Sequence, residues 1–164
     1  MAPNDRITEL FREHADSLLR MCFLYLKDLQ LAEDAVQETF LSAYRSLNSF
    51  KALSSEKTWL TRIAINTCKN IMRSKSYREP PFELSELIPA ESNEFGQRET
   101  RISVSAEISK LPIKYREVIL LYYYSEFKTA EVAKILKIPQ TTVDYRLRQA
   151  KALLKKTLKG VDFQ

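Results

Sequence analysis

The feature that most constrains this chain is a break in its hydrophobic period. From Arg78 to Glu99 the sequence REPPFELSELIPAESNEFGQRE carries three prolines, one glycine and six carboxylates, and sustains no period. On either side, apolar residues return every three or four positions, the spacing of amphipathic helices. A chain interrupted in this way builds two small cores rather than one. Sheets are disfavoured on both sides, because 164 residues hold only 2 glycines and the 6 prolines fall mostly outside the periodic stretches. A β-rich fold with many tight turns needs more of both. The expected fold is therefore all-α. Two small helical domains, at 1–77 and 106–164, flank an acidic linker at 78–105 with a single helical turn near 82–87.

Before the break three helices are expected. The first covers 7–27, with Ile7, Leu10, Phe11, Leu18, Cys22 and Tyr25 along its apolar side. The second covers 31–47, with a stripe of Ala32, Ala35, Val36, Phe40, Ala43 and Leu47. A loop rich in Ser and Asn follows at 48–55. The third helix runs from 55 to 77, with Leu60, Ile63, Ala64, Thr67 and Ile71 inward. Beyond the break, periodicity resumes near Ile102 and is interrupted at Leu111-Pro112. It continues as helices at 114–124, 129–136 and 141–158. Thr129 suits an N-cap, Lys137-Ile138 a tight turn, and Pro139 a first helical turn. Val143, Leu147, Ala150 and Leu154 point inward on the last helix.

Charge narrows the function. The net charge is +5, made of +2 over residues 1–75, −3 over 76–105 and +6 over 106–164. A basic bias gathered at one end is the footprint of a phosphate-facing module. Cys22 and Cys68 lie in helical patterns without CxxC spacing and are expected as buried small hydrophobes. His14, with no ligand-spaced neighbour, is expected at a surface or boundary. The sequence offers no Ser/His/Asp set, no glycine-rich phosphate loop and no metal-ligand cluster. No enzyme, metal, cofactor or small-molecule substrate is expected. No signal-peptide pattern and no apolar run near about 20 residues is present, so a cytoplasmic location is expected.

Three faces are left over by core packing. Opposite the apolar stripe of the third helix lie Trp59, Arg62, Asn66, Lys69, Asn70, Arg73 and Tyr77. Cations neutralise phosphates, amides pair with base edges, and aromatic rings stack on unpaired bases. A solvated polar face with Trp59 at a core edge would give the same pattern. On the second helix the outer face carries Asp34, Gln37, Glu38, Leu41 and Arg45. A leucine among carboxylates suits docking of a basic partner helix, although a plain solvated face is also compatible. The last helix keeps Thr141, Thr142, Asp144, Tyr145, Arg148, Lys151 and Lys155 outside. A short helix, a tight turn and a longer basic helix form the helix-turn-helix pattern, whose second helix enters the major groove. A plain helical hairpin is the alternative.

Together, LAEDAVQETFLSAYRSL, TWLTRIAINTCKNIMRSKSYR and LPIKYREVILLYYYSEFKTAEVAKILKIPQTTVDYRLRQAKALLKK resemble, in order, the three conserved-function segments of extracytoplasmic-function (ECF) RNA polymerase sigma factors. The resemblance covers nearly the whole chain. It implies a bacterial alternative sigma factor that binds core RNA polymerase, recognises minus-ten and minus-thirty-five promoter elements and promotes strand opening. Asp34, Gln37, Glu38 and Leu41 would dock on a coiled coil of the largest polymerase subunit. Asn48, Lys51, Trp59, Arg62, Asn66, Lys69, Asn70 and Arg73 would open and hold the minus-ten region, flipping a non-template base. Thr141, Thr142, Asp144, Tyr145, Arg148 and Lys151 would read the minus-thirty-five duplex. The linker would thread the polymerase near its catalytic channel. An anti-sigma factor, often membrane-anchored in this family, is a further implied partner.

The chain departs from the family pattern at four positions. Asn70 stands for a usual Asp, Lys137 for a frequent turn Gly, Thr141 for Gly or Asn, and Asp144 for Lys or Arg. Asp144 is the sharpest departure, because it places a carboxylate on a face that meets a polyanion. It could pair with Arg148 four residues on and aim that guanidinium at guanine, or accept a hydrogen bond from a cytosine amino group. A helix-turn-helix regulator acting on duplex DNA without polymerase is the main alternative. It leaves the single-strand face and the Gln37-Glu38 patch unused. An interaction protein of two helical hairpins would leave the basic C-terminal bias unexplained.

Overall fold

The computed structural model describes residues 3–50, 54–78 and 104–158, which divide into two compact units, the first built on 3–78 and the second on most of 104–158. Every regular element among the described residues is helical. The expected turn near 82–87, residues 79–103 of the expected linker and Lys51 lie outside the described residues.

The first unit packs three helices against one another: α1 (Pro3–Leu26), α2 (Leu29–Ser46) and α3 (Glu56–Arg73). Two residues join α1 to α2. Lys27 takes a left-handed conformation at φ 63° and stops the first helix. Asp28 then caps the second, its Oδ1 accepting the Leu31 N–H at 3.0 Å. Ser55 caps α3 in the same way, accepting from Thr58 N–H at 3.1 Å. Leu10, Cys22 and Tyr25 of α1, Ala32, Ala35 and Ala43 of α2, and Leu60, Ala64 and Ile65 of α3 are wholly buried. Each fully buried large aliphatic side chain contributes about 1.5–3 kcal/mol, which is what holds helices that would be marginal alone. The small alanines of α2 let the neighbouring helices approach closely.

Three expectations for this unit need correction. Phe11 is 49% exposed although it lies on the apolar side of α1. It meets only the flank of α2, edge-on to Phe40 with ring centroids 5.1 Å apart. On α3 the buried set is Thr58, Leu60, Thr61, Ala64, Ile65 and Cys68, whereas Ile63, Thr67 and Ile71 are half-buried. The inward face is therefore centred on Thr61, whose hydroxyl donates to the Lys57 carbonyl at 2.7 Å and so costs little to bury. The helix also ends at Arg73 rather than at 77. Tyr77 leaves the helical stripe, and its hydroxyl donates to the Leu26 carbonyl at 3.1 Å.

In the second unit residues 104–110 form α4, followed by α5 (Ile113–Ile119), which runs on as a π-helical turn over Leu120–Tyr124. The Ser125 N–H closes that turn on the Leu120 carbonyl at 2.9 Å. The wider turn keeps Leu120 and Leu121 buried while Tyr122 and Tyr123 stay half-exposed. Buried Arg116 donates to the Ser109 carbonyl at 2.9 Å and fastens α5 to the end of α4. Then come α6 (Thr129–Leu136) and α7 (Gln140–Thr157), the latter packed on α5. Its inward residues are Val143, Leu147, Ala150 and Leu154, all buried. Lys128, not Thr129, stands at the start of α6: its N–H is accepted by Glu131 at 3.2 Å and its carbonyl takes the Val132 N–H. Lys137 is left-handed at φ 58°, and the Ile138 N–H reaches back to the Ala133 carbonyl at 3.1 Å. This is the glycine-type helix terminator built with a lysine.

Candidate nucleic-acid interface

On α2 the expected docking residues all reach solvent. Asp34, Gln37 and Glu38 are exposed, and Leu41 is 50% exposed at the middle of their arc. Asp34 accepts from Gln30 at 3.3 Å, and Glu38 pairs with Arg45 at 3.7 Å. Both contacts are solvent-exposed and weak. Beside this face the chain forms a feature that periodicity did not reveal, an open, mostly apolar groove of about 460 Å³. Ile7 and Phe11 of α1 and Gln37, Phe40, Leu41 and Tyr44 of α2 line it. Phe11, Leu41 and Tyr44 are each close to half exposed, an unusual cluster of large apolar side chains in water. The spacing Phe40, Leu41, Tyr44 was the available signal, because Leu41 and Tyr44 fall outside the buried stripe.

The outer face of α3 is assembled as its spacing predicts. At about 100° per residue, Trp59, Arg62, Asn66, Lys69, Asn70 and Arg73 fall within an arc of roughly 100°. Asn66, Asn70 and Arg73 are exposed, and Trp59, Arg62 and Lys69 are half-buried. Arg62 has its Nε buried with no hydrogen-bond partner among the described residues. Asn48 is exposed in the short 3-10 turn Leu47–Ser49 that follows α2. Next to it Phe50, which residue patterning had passed over, stacks on Trp59 with centroids 4.6 Å apart and planes 27° apart. The two rings tie the start of the loop to the first turn of α3.

On α7, Thr141, Asp144, Tyr145 and Arg148 are exposed, and Thr142 and Lys151 are half-buried. Asp144 and Arg148 form no ion pair within the described residues, so the i,i+4 pairing considered above is not made. Two cations are drawn inward instead. Arg146 lies 3.9 Å from the buried Glu117 carboxylate. Lys151 sits over the Tyr122 and Tyr123 rings at 5.8 and 5.5 Å, within cation–π range. At the head of α7, Gln140 donates through Nε2 to the Thr129 hydroxyl at 2.9 Å, bridging the first turns of the two helices of the motif.

No group of three or more His, Cys, Asp or Glu among the described residues could hold a metal ion, and no helix there is long and apolar enough to cross a membrane.

Comparison with known proteins agrees on one family. Residues 10–78 match Sigma-70 region 2, and residues 101–154 match Sigma-70, region 4. The ECF RNA polymerase sigma factor SigM of Mycobacterium tuberculosis is 30% identical over 150 residues, which span 92% of this chain and 76% of the relative. SigW of Bacillus subtilis is 30% identical over 173 residues, spanning 96% and 91%. The fold is that of the sigma factor RpoE crystallised with the anti-sigma factor NepR from Bartonella quintana. The TM-score is 0.79 over 94% of this chain and 98% of that one, at 22% identity. A regulator acting without polymerase is not favoured by matches that include both regions. The chain belongs to the ECF sigma factors, alternative promoter-recognition subunits of RNA polymerase.

Proposed function

We propose a division of labour among the three exposed faces. The α2 face of Asp34, Gln37, Glu38 and Leu41, widened by the apolar groove reaching Phe11 and Tyr44, docks on core RNA polymerase. The α3 face of Trp59, Arg62, Asn66, Lys69, Asn70 and Arg73, with Asn48 and Lys51 from the preceding loop, opens the minus-ten duplex and holds the single non-template strand. The face of Thr141, Thr142, Asp144, Tyr145, Arg148 and Lys151 serves the minus-thirty-five duplex. Residues 1–77 and 106–164 act as the two promoter-binding domains, and 78–105 as the tether between them. The protein works in the cytoplasm as a non-enzymatic subunit and is held in check by an anti-sigma factor. The solved complexes of CnrH with the cytosolic domain of CnrY and of RpoE with NepR support that last element.

The observation that carries this reading is the α3 arc. Amides, cations and an aromatic share one accessible face, a combination suited to unstacked bases and less useful to a duplex-only binder. Unstacking a base costs a few kcal/mol, and stacking with phosphate neutralisation returns a comparable amount. The test is transcription from a cognate promoter with purified core polymerase, with strand opening mapped by permanganate. Asn66→Ala and Arg73→Ala should leave polymerase binding intact and reduce opening. Asp34→Ala with Gln37→Ala should reduce polymerase binding itself. Opening by both Asn66→Ala and Arg73→Ala equal to wild type would refute the assignment.

A further inference from the structure

Gln140 is absent from the residues assigned to promoter reading, yet its geometry suits that task better than that of several of its neighbours. It is the first residue of α7, the turn that a helix-turn-helix pushes deepest into the major groove. It is exposed, and its amide is oriented by a neighbour: Nε2 donates to the Thr129 hydroxyl at 2.9 Å. A primary amide has one donor end and one acceptor end. Nε2 spends one of its two hydrogens on Thr129, so the carbonyl oxygen is left as the amide's unpaired acceptor, beside one remaining N–H. One helical turn later, on the same face, Asp144 is exposed and unpaired with Arg148 within the described residues. The leading edge of α7 thus presents two hydrogen-bond acceptors side by side, at i and i+4.

In the major groove the donors are the exocyclic amino groups of adenine and cytosine, whereas guanine and thymine offer acceptors there. Two acceptors on the protein match amino groups, and the carboxylate, which has no proton to donate, is repelled by keto oxygens. We infer that Gln140, oriented by Thr129, is a specificity-determining residue that with Asp144 makes this sigma factor select adenine or cytosine amino groups at the part of the minus-thirty-five element facing the first turn of α7. This rests on the reading of α7 as the minus-thirty-five helix. It also accounts for the carboxylate at 144, because an acceptor that would be costly facing a guanine edge is matched by an amino group.

The experiment uses the full chain with core polymerase on a cognate promoter. Each minus-thirty-five adenine is replaced in turn by purine, and each cytosine by 2-pyrimidinone, which deletes the amino donor and keeps the ring. For wild type, deletion at the one or two positions facing the first turn should lower promoter occupancy about five- to tenfold, the effect of one lost hydrogen bond. With Gln140→Ala the same deletion at the Gln140 position should have no further effect. Thr129→Val keeps the side-chain shape and releases the amide. It should relax adenine-over-guanine or cytosine-over-thymine preference at that position by a similar factor while leaving occupancy on the preferred promoter within about twofold. A purely structural Gln140–Thr129 bond would instead lower occupancy on all sequences equally, which would overturn the inference. Equal sensitivity of wild type and Gln140→Ala to amino deletion would also overturn it. If scrambling the whole minus-thirty-five element left occupancy unchanged, the underlying assignment of α7 would fail, a result distinct from both.

Discussion

Truncating the groove beside α2 should weaken polymerase binding more than it weakens the fold. Phe11 and Leu41 are 49% and 50% exposed. Against side-chain areas on the order of 200 Å², each leaves about 100 Å² of mostly apolar surface in water. At about 25 cal/mol per Å², covering that surface is worth about 2.5 kcal/mol per residue as an upper bound. Truncation to Ala retains part of the contact, and protein interfaces recover area inefficiently, so about 1–1.5 kcal/mol per residue is a fair expectation. That corresponds to about a tenfold loss in core polymerase affinity for each of Phe11→Ala and Leu41→Ala. Leu41 is the cleaner probe, because an exposed substitution changes stability by about 0.5 kcal/mol or less. Phe11→Ala also loses its edge contact with Phe40 and should lower stability by about 1 kcal/mol. The assay is competition for core polymerase against a labelled sigma factor, with thermal melts in parallel and Glu13→Ala, exposed on α1 on the side away from Phe11 and the groove, as the control. Leu41→Ala and Phe11→Ala binding as tightly as Glu13→Ala would refute the argument that the groove is a docking surface.

Other consequences follow from local geometry. Lys137 carries a Cβ at φ 58° on an exposed turn, so Lys137→Gly should stabilise the second unit by about 0.5–1 kcal/mol and raise its melting temperature by a few degrees, whereas Lys137→Ala should not. The hydrogen bond with Cys22, and then burial, hold the Cys68 thiol well above its ordinary pKa. The folded chain therefore keeps a proton that the unfolded chain releases above about pH 8.5. This share of stability is complete below that pH and is lost as pH rises beyond it, and denaturant melts of Cys68→Ala should show a shallower alkaline decline. Changing the six acidic residues of the linker to their amides should alter the ratio of abortive to full-length transcripts if the linker lies near the catalytic channel. An unchanged ratio would remove that proposal.

Helix number, order and most inward faces were legible because amphipathic period is a strong local signal. Ala32, Ala35, Ala43, Leu147 and Leu154 went where spacing put them. What escaped was set between helices. Period places Phe11 on the correct side of α1 but does not say how far α2 extends over it. The tilt of the α3 core toward Thr61 was hidden because a threonine reads as polar until its hydroxyl is seen to return to its own helix. The end of α3 was overrun because Ser74-Lys75-Ser76 contains no proline or glycine to announce a stop. The α3 arc was readable, because its members share one helix. The Gln140–Thr129 bridge and the Phe50–Trp59 stack were not, because each joins two elements whose approach no spacing encodes.

The same cross-element contacts bear on how strongly α7 can hold DNA. Counting basic residues along the helix credits Arg146, Arg148, Lys151, Lys155 and Lys156 with facing phosphate. The structure draws two of them inward, Arg146 toward Glu117 and Lys151 over two tyrosine rings, and Asp144 subtracts a further charge outside. A cation held over aromatic faces releases few counterions when DNA arrives, because it is already partly neutralised and desolvated. Each phosphate contact adds about 0.9 to the slope of log affinity against log salt. In holoenzyme binding to a promoter, Arg148→Ala should therefore lower that slope by about 0.9, and Lys151→Ala should lower it by much less. Lys151→Ala should instead loosen α7 against α5 and appear in thermal stability, where Arg148→Ala does not. If the two substitutions lowered the slope equally, Lys151 would leave the tyrosines on binding and contact phosphate as fully as Arg148. A helix with so few outward cations is expected to bind duplex weakly by itself, and the proposed division of labour then draws promoter affinity from presentation on polymerase together with the α3 face, with the leading edge of α7 discriminating among sequences.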